Sequence, residues 1–582
     1  MSAVRARVRA LATALALLAI AMTVGATIAA ADEREPRHRA AGDAPGRVAD
    51  GADRGANWSV KQEQWYVLRL AGVDCGWMRT ALFDDGARYR TETQMSLSLD
   101  RGGEVVRVAT ETAFDETHRG KPLRLRTMQQ MGQEPVETIY EFGQFDADGA
   151  DEANGADGAA TRRVRRIVRQ GGGESVGEEA WPDGSWLPPA AADRLFAMRR
   201  DAGAKEIVYD TIDGQTGLQV ATVRSIRVGE ERIEIAGRSV PVTRWRISTS
   251  AVPVETIALF GVDGVLVHSR VDLGFGELET RLATEAEVLQ LRPGRLPDVI
   301  ISTVVRPDRP IRDVLRTRRA EFRISLPEGS QLPELPSVGA QRFERIDARA
   351  GLVRVDRDRP LPATEAEIKN DAYRTASPTV DSDDPVVRTL HQRATRGMDR
   401  RTPAERAEAC RAFVGRHVRD KGLEVAFATA SEVARRGEGD CSEHAVLLCA
   451  LLRADGIASR LASGLIYVDE FAGQRAVFGW HMWTQALLEV ESEDEHGGET
   501  EWRWIDLDAT LRRPNHAAYV LTGTTSLSQG PTDPSMTAML PLMGRMSIEV
   551  VDYGPGGAAR TPDRRPAQRP RRRRRRSELQ AA

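Results

Sequence analysis

Apolar and polar residues alternate from Trp58 to about Leu289, and this period of two predicts strands. In "TQMSLSLDRGGEVVRVATET", Met95, Leu97 and Leu99 alternate up to Gly102-Gly103, and Val106 and Val108 resume the pattern beyond that turn. "ERIEIAGRSVPVTRWRIS" turns at Ala236-Gly237 and "ETIALFGVDGVLVHSRVDL" at Asp263-Gly264, so two more hairpins are expected. Residues 58–290 therefore read as one antiparallel β domain, a curved sheet or half-barrel, with the low-complexity stretch 146–163 inserted. Between 291 and 375, "AEFRISLPEG" and "RFERIDARAGLVRVD" predict a smaller, sandwich-like β region. Near residue 376 the period becomes helical. "RTPAERAEACRAFVGRHV" has Thr402 as N-cap, Pro403 at N1 and Glu405 at N3, with Ala407, Cys410, Phe413, Val414 and Val418 on one face. "ATASEVARRGEGD" is a further short helix stopped at Gly437. The fold class these elements predict is α+β, with an α+β domain at 376–553 behind antiparallel β domains.

Composition changes this picture mainly at the ends. Arg5, Arg7 and Arg9 precede an apolar run that closes on Ala29-Ala30-Ala31, the plan of a secretory signal over residues 1–31. The run approaches the ~20 residues of a membrane span, so an uncleaved N-terminal anchor is the alternative to a periplasmic or extracellular chain. Residues 32–57 are Ala-, Gly-, Asp- and Arg-rich and read as a flexible linker; 554–582 reads as a disordered Arg-rich tail. The tail from Arg560 carries +8 and the signal +3; taken from a total of −3, these leave −14 for residues 32–559. An acidic body with no aromatic-interleaved basic patch argues against nucleic-acid binding. Four cysteines without a C-x-x-C pair, and no H-E-x-x-H, give no support to a disulfide framework, a zinc site or any other cofactor.

The chemistry gathers around "GEGDCSEHAVLLCALLRADG". Asp440 can cap a helix with Glu443 closing a capping box, which puts Cys441 at N1. There the positive end of the helix and its unpaired N–H groups favour thiolate. Taken alone, Cys441 reads equally well as a nucleophile or as a small buried residue. Downstream come a strand from about Ser459 to Asp469, a second beginning near His481 in "FGWHMWTQALLEV", and a third in "WRWIDLDAT". A thiol at a helix tip, a histidine at one strand's start and an aspartate at the next strand's end form a Cys–His–Asp set. Trp480 and Trp483 could wall a cleft or simply pack. Cys410 and Cys449 could pair or remain two buried thiols, while Cys449 lies too far along the helix to reach Cys441.

"GDCSEHAVLLCALLRADGIASR" (439–460), "HMW" (481–483) and "WIDLDAT" (504–510) resemble the transglutaminase-like superfamily, relatives of papain, over roughly residues 376–525. The resemblance implies Cys441 as nucleophile, His481 as base and Asp508 as orienting acid, with His444 structural. The family's usual Asp-Pro-Thr is Asp508-Ala509-Thr510 here, which loosens the turn and keeps the carboxylate. Asp506 competes with Asp508, and a regular hairpin placing Val490 opposite Glu499 would set His481 opposite Asp508. The function this implies is acyl transfer on peptide or amide bonds of a protein or peptide substrate through a Cys441 thioester, with hydrolysis favoured. A protein-glutamine transglutaminase and a scaffold with an inactive module are the alternatives.

Overall fold

The computed structural model describes residues 57–101, 104–130, 135–143, 163–170, 173–212, 218–235, 237–251, 254–292, 303–419, 428–471, 473–491, 500–511, 515–528 and 541–555. The expected signal segment, nearly all of the linker and of the 146–163 insertion, and the tail beyond Pro555 lie outside them.

Fourteen strands between Ser59 and Ala283 build one antiparallel sheet. Eight follow one another to Gly173–Ala180 and six run from Glu206–Ile212 to Glu277–Ala283. The two meanders join where Ser59–Leu70 pairs with Glu277–Ala283, Leu68 lying opposite Thr280. The three turns read from the sequence are hairpins: Arg101 pairs with Glu104, Ile235 with Arg238, and the Gly261 N–H donates to the Val265 carbonyl at 2.9 Å. Ile212 and Leu218, from the far meander, share a buried cluster with Phe114, Leu125, Tyr140, Phe142 and Val164, so the sheet curls until its two ends meet. The Pro189–Asp201 helix lies against it, Phe196 packing on Trp245 and Phe260 with ring centroids 5.4 and 5.5 Å away.

A four-stranded sheet follows in the order Gln341–Asp347, Ala350–Asp356, Arg319–Ser325, Ser547–Gly554. Its last strand comes from the far side of the segment that bears Cys441, His481 and Asp508. Arg319 pairs with Gly554 and Ser325 with Ser547.

The remaining sheet has the order Thr500–Leu507, Gln474–Glu491, Ser459–Phe471, Tyr519–Thr525. The Cys441–Ala454 helix packs on it and is flanked by Pro385–Ala394, Pro403–His417 and Ala430–Arg436. Its apolar residues run nearly all round, and every residue from Cys441 to Arg453 is buried. The Thr402–Glu405 capping box opens the Pro403–His417 helix, whose Ala407, Cys410 and Val414 are buried. The strand bearing His481 corrects the sequence reading: it starts at Gln474, so His481 lies mid-strand. Gly479 masked the start, and what extends the strand is its long ladder with Ser459–Phe471, closed by the Phe471–Gln474 pair. One buried cluster joins Leu68 of the large sheet, Phe322 of the small sheet and Leu448 of the central helix. No helix among the described residues is long and apolar enough to cross a membrane.

Candidate active site

The tip of the central helix is built by its own sequence. Asp440 Oδ1 accepts the Ser442 N–H at 2.9 Å and the Ser442 hydroxyl at 2.7 Å, while Glu443 Oε2 accepts the Asp440 N–H at 2.8 Å. Gly439 makes this fit possible: its φ is +152°, and a Cβ there would stand 2.3 Å from Glu443 Cβ. Burial, and then the neighbouring Asp440 charge, push the Glu443 carboxyl well above the ordinary carboxylate range. Glu443 thus favours its neutral form beside Cys441. The His444 Nδ1–H donates to the Asp440 carbonyl at 2.6 Å, so its ring is turned back onto the cap.

One turn past Cys441, the Ala445 carbonyl accepts the Thr484 hydroxyl at 3.0 Å. This ties the helix to the strand three residues beyond His481. Gly464 pairs with His481, and a Cβ on Gly464 would stand 2.0 Å from the Val520 carbonyl oxygen, so only glycine lets the Tyr519–Thr525 strand close on this side.

The structure brings His481 and Asp508 together: Nε2 and Oδ2 are 2.8 Å apart, and both side chains are fully buried. Their hairpin register differs from the expected one. Val490 lies opposite Glu501 and Gln485 opposite Asp506, a displacement of two residues. An even displacement leaves every side chain on its face, so Asp508, just past the strand end at Leu507, still reaches His481 on a diagonal. Asp506 instead accepts the Trp483 indole N–H and the Gln485 amide N–H, both at 2.8 Å.

Both oxygens of Asp508 are bonded. Its Oδ2 also accepts the Tyr519 hydroxyl at 2.8 Å, and its Oδ1 accepts the Thr510 N–H at 2.8 Å. Burial would raise its pKa, but the His481 charge and these hydrogen bonds outweigh burial and hold it at about 2. His481 Nδ1 is buried with no hydrogen-bond partner among the described residues. Trp483 is buried, stacks on the His481 ring (6.2 Å, 16°) and belongs to the cluster of Ile466, Tyr519 and Leu521, which makes it packing rather than an open wall. Trp480 is buried as well.

None of the four cysteines is in a disulfide. Burial pushes the Cys75 and Cys410 thiols up to about 12. Cys449 contacts the Ser459 hydroxyl at 3.3 Å. Among the described residues no group of three or more His, Cys, Asp or Glu could hold a metal ion. Sequence reasoning missed Tyr519, because it lies outside every motif quoted above. The only signal was a tyrosine opening a strand shortly after the Asp508 turn.

Residues 388–509 match the family model described as "Transglutaminase-like superfamily". The chain thus carries a C-terminal transglutaminase-like domain behind antiparallel β domains. No curated protein matches it in sequence. Among solved structures it is similar to a β-barrel-like protein of a domain of unknown function from Brucella abortus, at 12% identity over 38% of this chain and 95% of that one, with a TM-score of 0.27. It is also similar to a protein described as "a Putative Cysteine Protease" from Cytophaga hutchinsonii, at 13% identity over 41% and 89%, with a TM-score of 0.25. A third is described as "a Putative Protease" from Parabacteroides distasonis, at 14% identity over 46% and 61%, with a TM-score of 0.14.

Proposed function

We propose that this chain is an exported cysteine-dependent acyl-transfer enzyme that cleaves peptide or amide bonds, with Cys441 as nucleophile, His481 as general base and Asp508 as the acid orienting His481. The observation that carries this reading is the buried His481–Asp508 bond, which leaves Nδ1 as the one ring nitrogen able to serve a thiol. His481 takes the Cys441 proton, the sulfur attacks the carbonyl carbon, and the Cys441 N–H at the helix tip donates to the developing oxyanion. The C–N bond then breaks, and the amine leaves with the proton held by His481. Water attacks the thioester, returns a proton to His481, and frees the acid and the thiol. An amine in place of water would give transamidation; hydrolysis is preferred because the sequence carries no cross-linking feature.

A second reading, a non-catalytic module, draws on one observation: Cys441 is 1% exposed, His481 1% and Asp508 0%. A thiol-reactive amide probe separates the two. The enzyme reading expects labelling of the wild-type chain at Cys441 and none in Cys441→Ala, with substrate proteins changed only by wild type. Absence of probe labelling in the folded wild-type chain would leave the scaffold reading.

A further inference from the structure

We propose that Tyr519 is a positioning residue for His481, acting through Asp508; this rests on the reading of the site given above. The Tyr519 hydroxyl and His481 Nε2–H both donate to Asp508 Oδ2, each at 2.8 Å. One oxygen therefore divides its electron density between a neutral donor and the imidazole. The Thr510 N–H fixes the other oxygen, so the carboxylate cannot rotate to offer His481 an unshared one.

The aromatic packing shows that the tyrosine is placed for this contact. Its ring meets Trp483 edge-on at 5.2 Å and 81°, and Trp483 in turn stacks on His481. The same three rings enclose the bond, so Tyr519 fixes both the carboxylate and the aromatic backing of the imidazole. Burial, followed by the Asp508 charge, pushes the phenol well above its ordinary range, which keeps it a donor throughout the range where the enzyme would work.

The charged and titratable groups around it come from four directions. Arg411, on the Pro403–His417 helix, donates to the Asp508 backbone carbonyl at 3.1 Å. Arg357 donates to the Asn515 carbonyl and acts on Tyr519 by its charge. Asp506 acts on Tyr519 by its charge from the Thr500–Leu507 strand. His516, its ring 5.1 Å from Tyr519, is held at about 4 by burial and by Arg357, and is neutral near pH 7. None of these groups replaces the donor that Tyr519 supplies to Oδ2.

Tyr519→Phe removes the hydroxyl and keeps the ring. With one donor fewer, Asp508 draws harder on His481 and stabilises the thiolate–imidazolium pair. The test follows the rate of Cys441 alkylation by iodoacetamide against pH in the full chain, reading the Cys441 peptide by mass spectrometry. Tyr519→Phe is expected to move the rise in rate to lower pH by about half a unit or more. Asp508→Asn should move it the other way, and adding Tyr519→Phe to Asp508→Asn should change nothing further. An unmoved profile in a folded Tyr519→Phe chain, or an equal shift in the Asp508→Asn background, would overturn the proposal. Should Tyr519→Phe fail to fold, Tyr519→Trp, which keeps an aromatic ring and a single donor, is read on the same assay, and a profile identical to that of Asp508→Asn would also overturn it. If His481→Ala leaves the wild-type profile unchanged, it is the site reading that fails rather than this one.

Discussion

Asp506 and Asp508 lie two residues apart with different partners, and the proposed function gives them different roles. Asp508 bonds His481 and Tyr519, while Asp506 holds Trp483 and Gln485. In Asp508→Asn the amide can present its N–H to His481, favouring the wrong tautomer, so activity should fall by about a hundredfold or more. In Asp506→Asn the amide oxygen still accepts from Trp483, and activity should stay within about fivefold of wild type. Kinetics on both folded variants check the ranking. The same carboxylate predicts an acid response. Asp508 is held at about 2 against an ordinary 3.8, so its contribution to stability is complete above about pH 4 and disappears as pH falls towards 2. A shift of this size corresponds to about 2 kcal/mol. Unfolding measured from pH 2 to 6 should show a smaller dependence on pH in Asp508→Asn than in wild type. Glu443 and other perturbed acids are common to both chains and cancel in the comparison.

At the scale of elements, the helix tip is the part most dependent on one backbone geometry. Gly439→Ala would drive a methyl group into Glu443, whose Oε2 accepts the Asp440 N–H. Cys441 reactivity towards iodoacetamide, which should exceed that of Cys75, Cys410 and Cys449 in wild type, should fall at least tenfold in this variant, with thermal unfolding confirming that the chain is folded. The legibility of each element follows the range of the interaction that builds it. Helix caps at Thr402 and Asp440 and the hairpin turns were readable because their partners lie within a few residues. The start of the His481 strand was not, since its extension depends on pairing with a neighbouring strand across Gly479. The hairpin register was misread by two residues because no residue within either strand determines where the ladder closes. Tyr519 was invisible for a similar reason: its strand and Thr500–Leu507 are opposite edges of the four-stranded sheet, and only the folded chain brings its hydroxyl to Asp508.

On the scale of the whole molecule, the chain leaves the sheet of the transglutaminase-like domain at Thr525 and returns as Ser547–Gly554 to complete a sheet begun more than two hundred residues earlier. No local pattern announces such a pairing. Ile548 and Val550 of that strand are 3% and 2% exposed, and burial of two aliphatic side chains contributes about 3–6 kcal/mol as an upper bound. The preceding segment reaches the large sheet too: Arg545 pairs with Asp272 at 2.8 Å, and a Cβ on Gly274 would stand 2.2 Å from the Met543 carbonyl oxygen. The transglutaminase-like domain is therefore fastened to both β regions by residues that follow its last strand. A chain ending after Ser528 keeps Cys441, His481, Asp508 and Tyr519 but strips the small sheet of its edge strand and exposes Phe322 and Ile324, which pair with Val550 and Ile548. It should be less soluble, unfold at lower temperature, and be cut by protease within 319–356 under conditions where the full chain survives. A chain ending after Pro555 keeps every described strand and should match the full chain in all three measurements. Equal protease resistance of the two truncated chains would show that the returning strand is dispensable and that the transglutaminase-like domain stands without it.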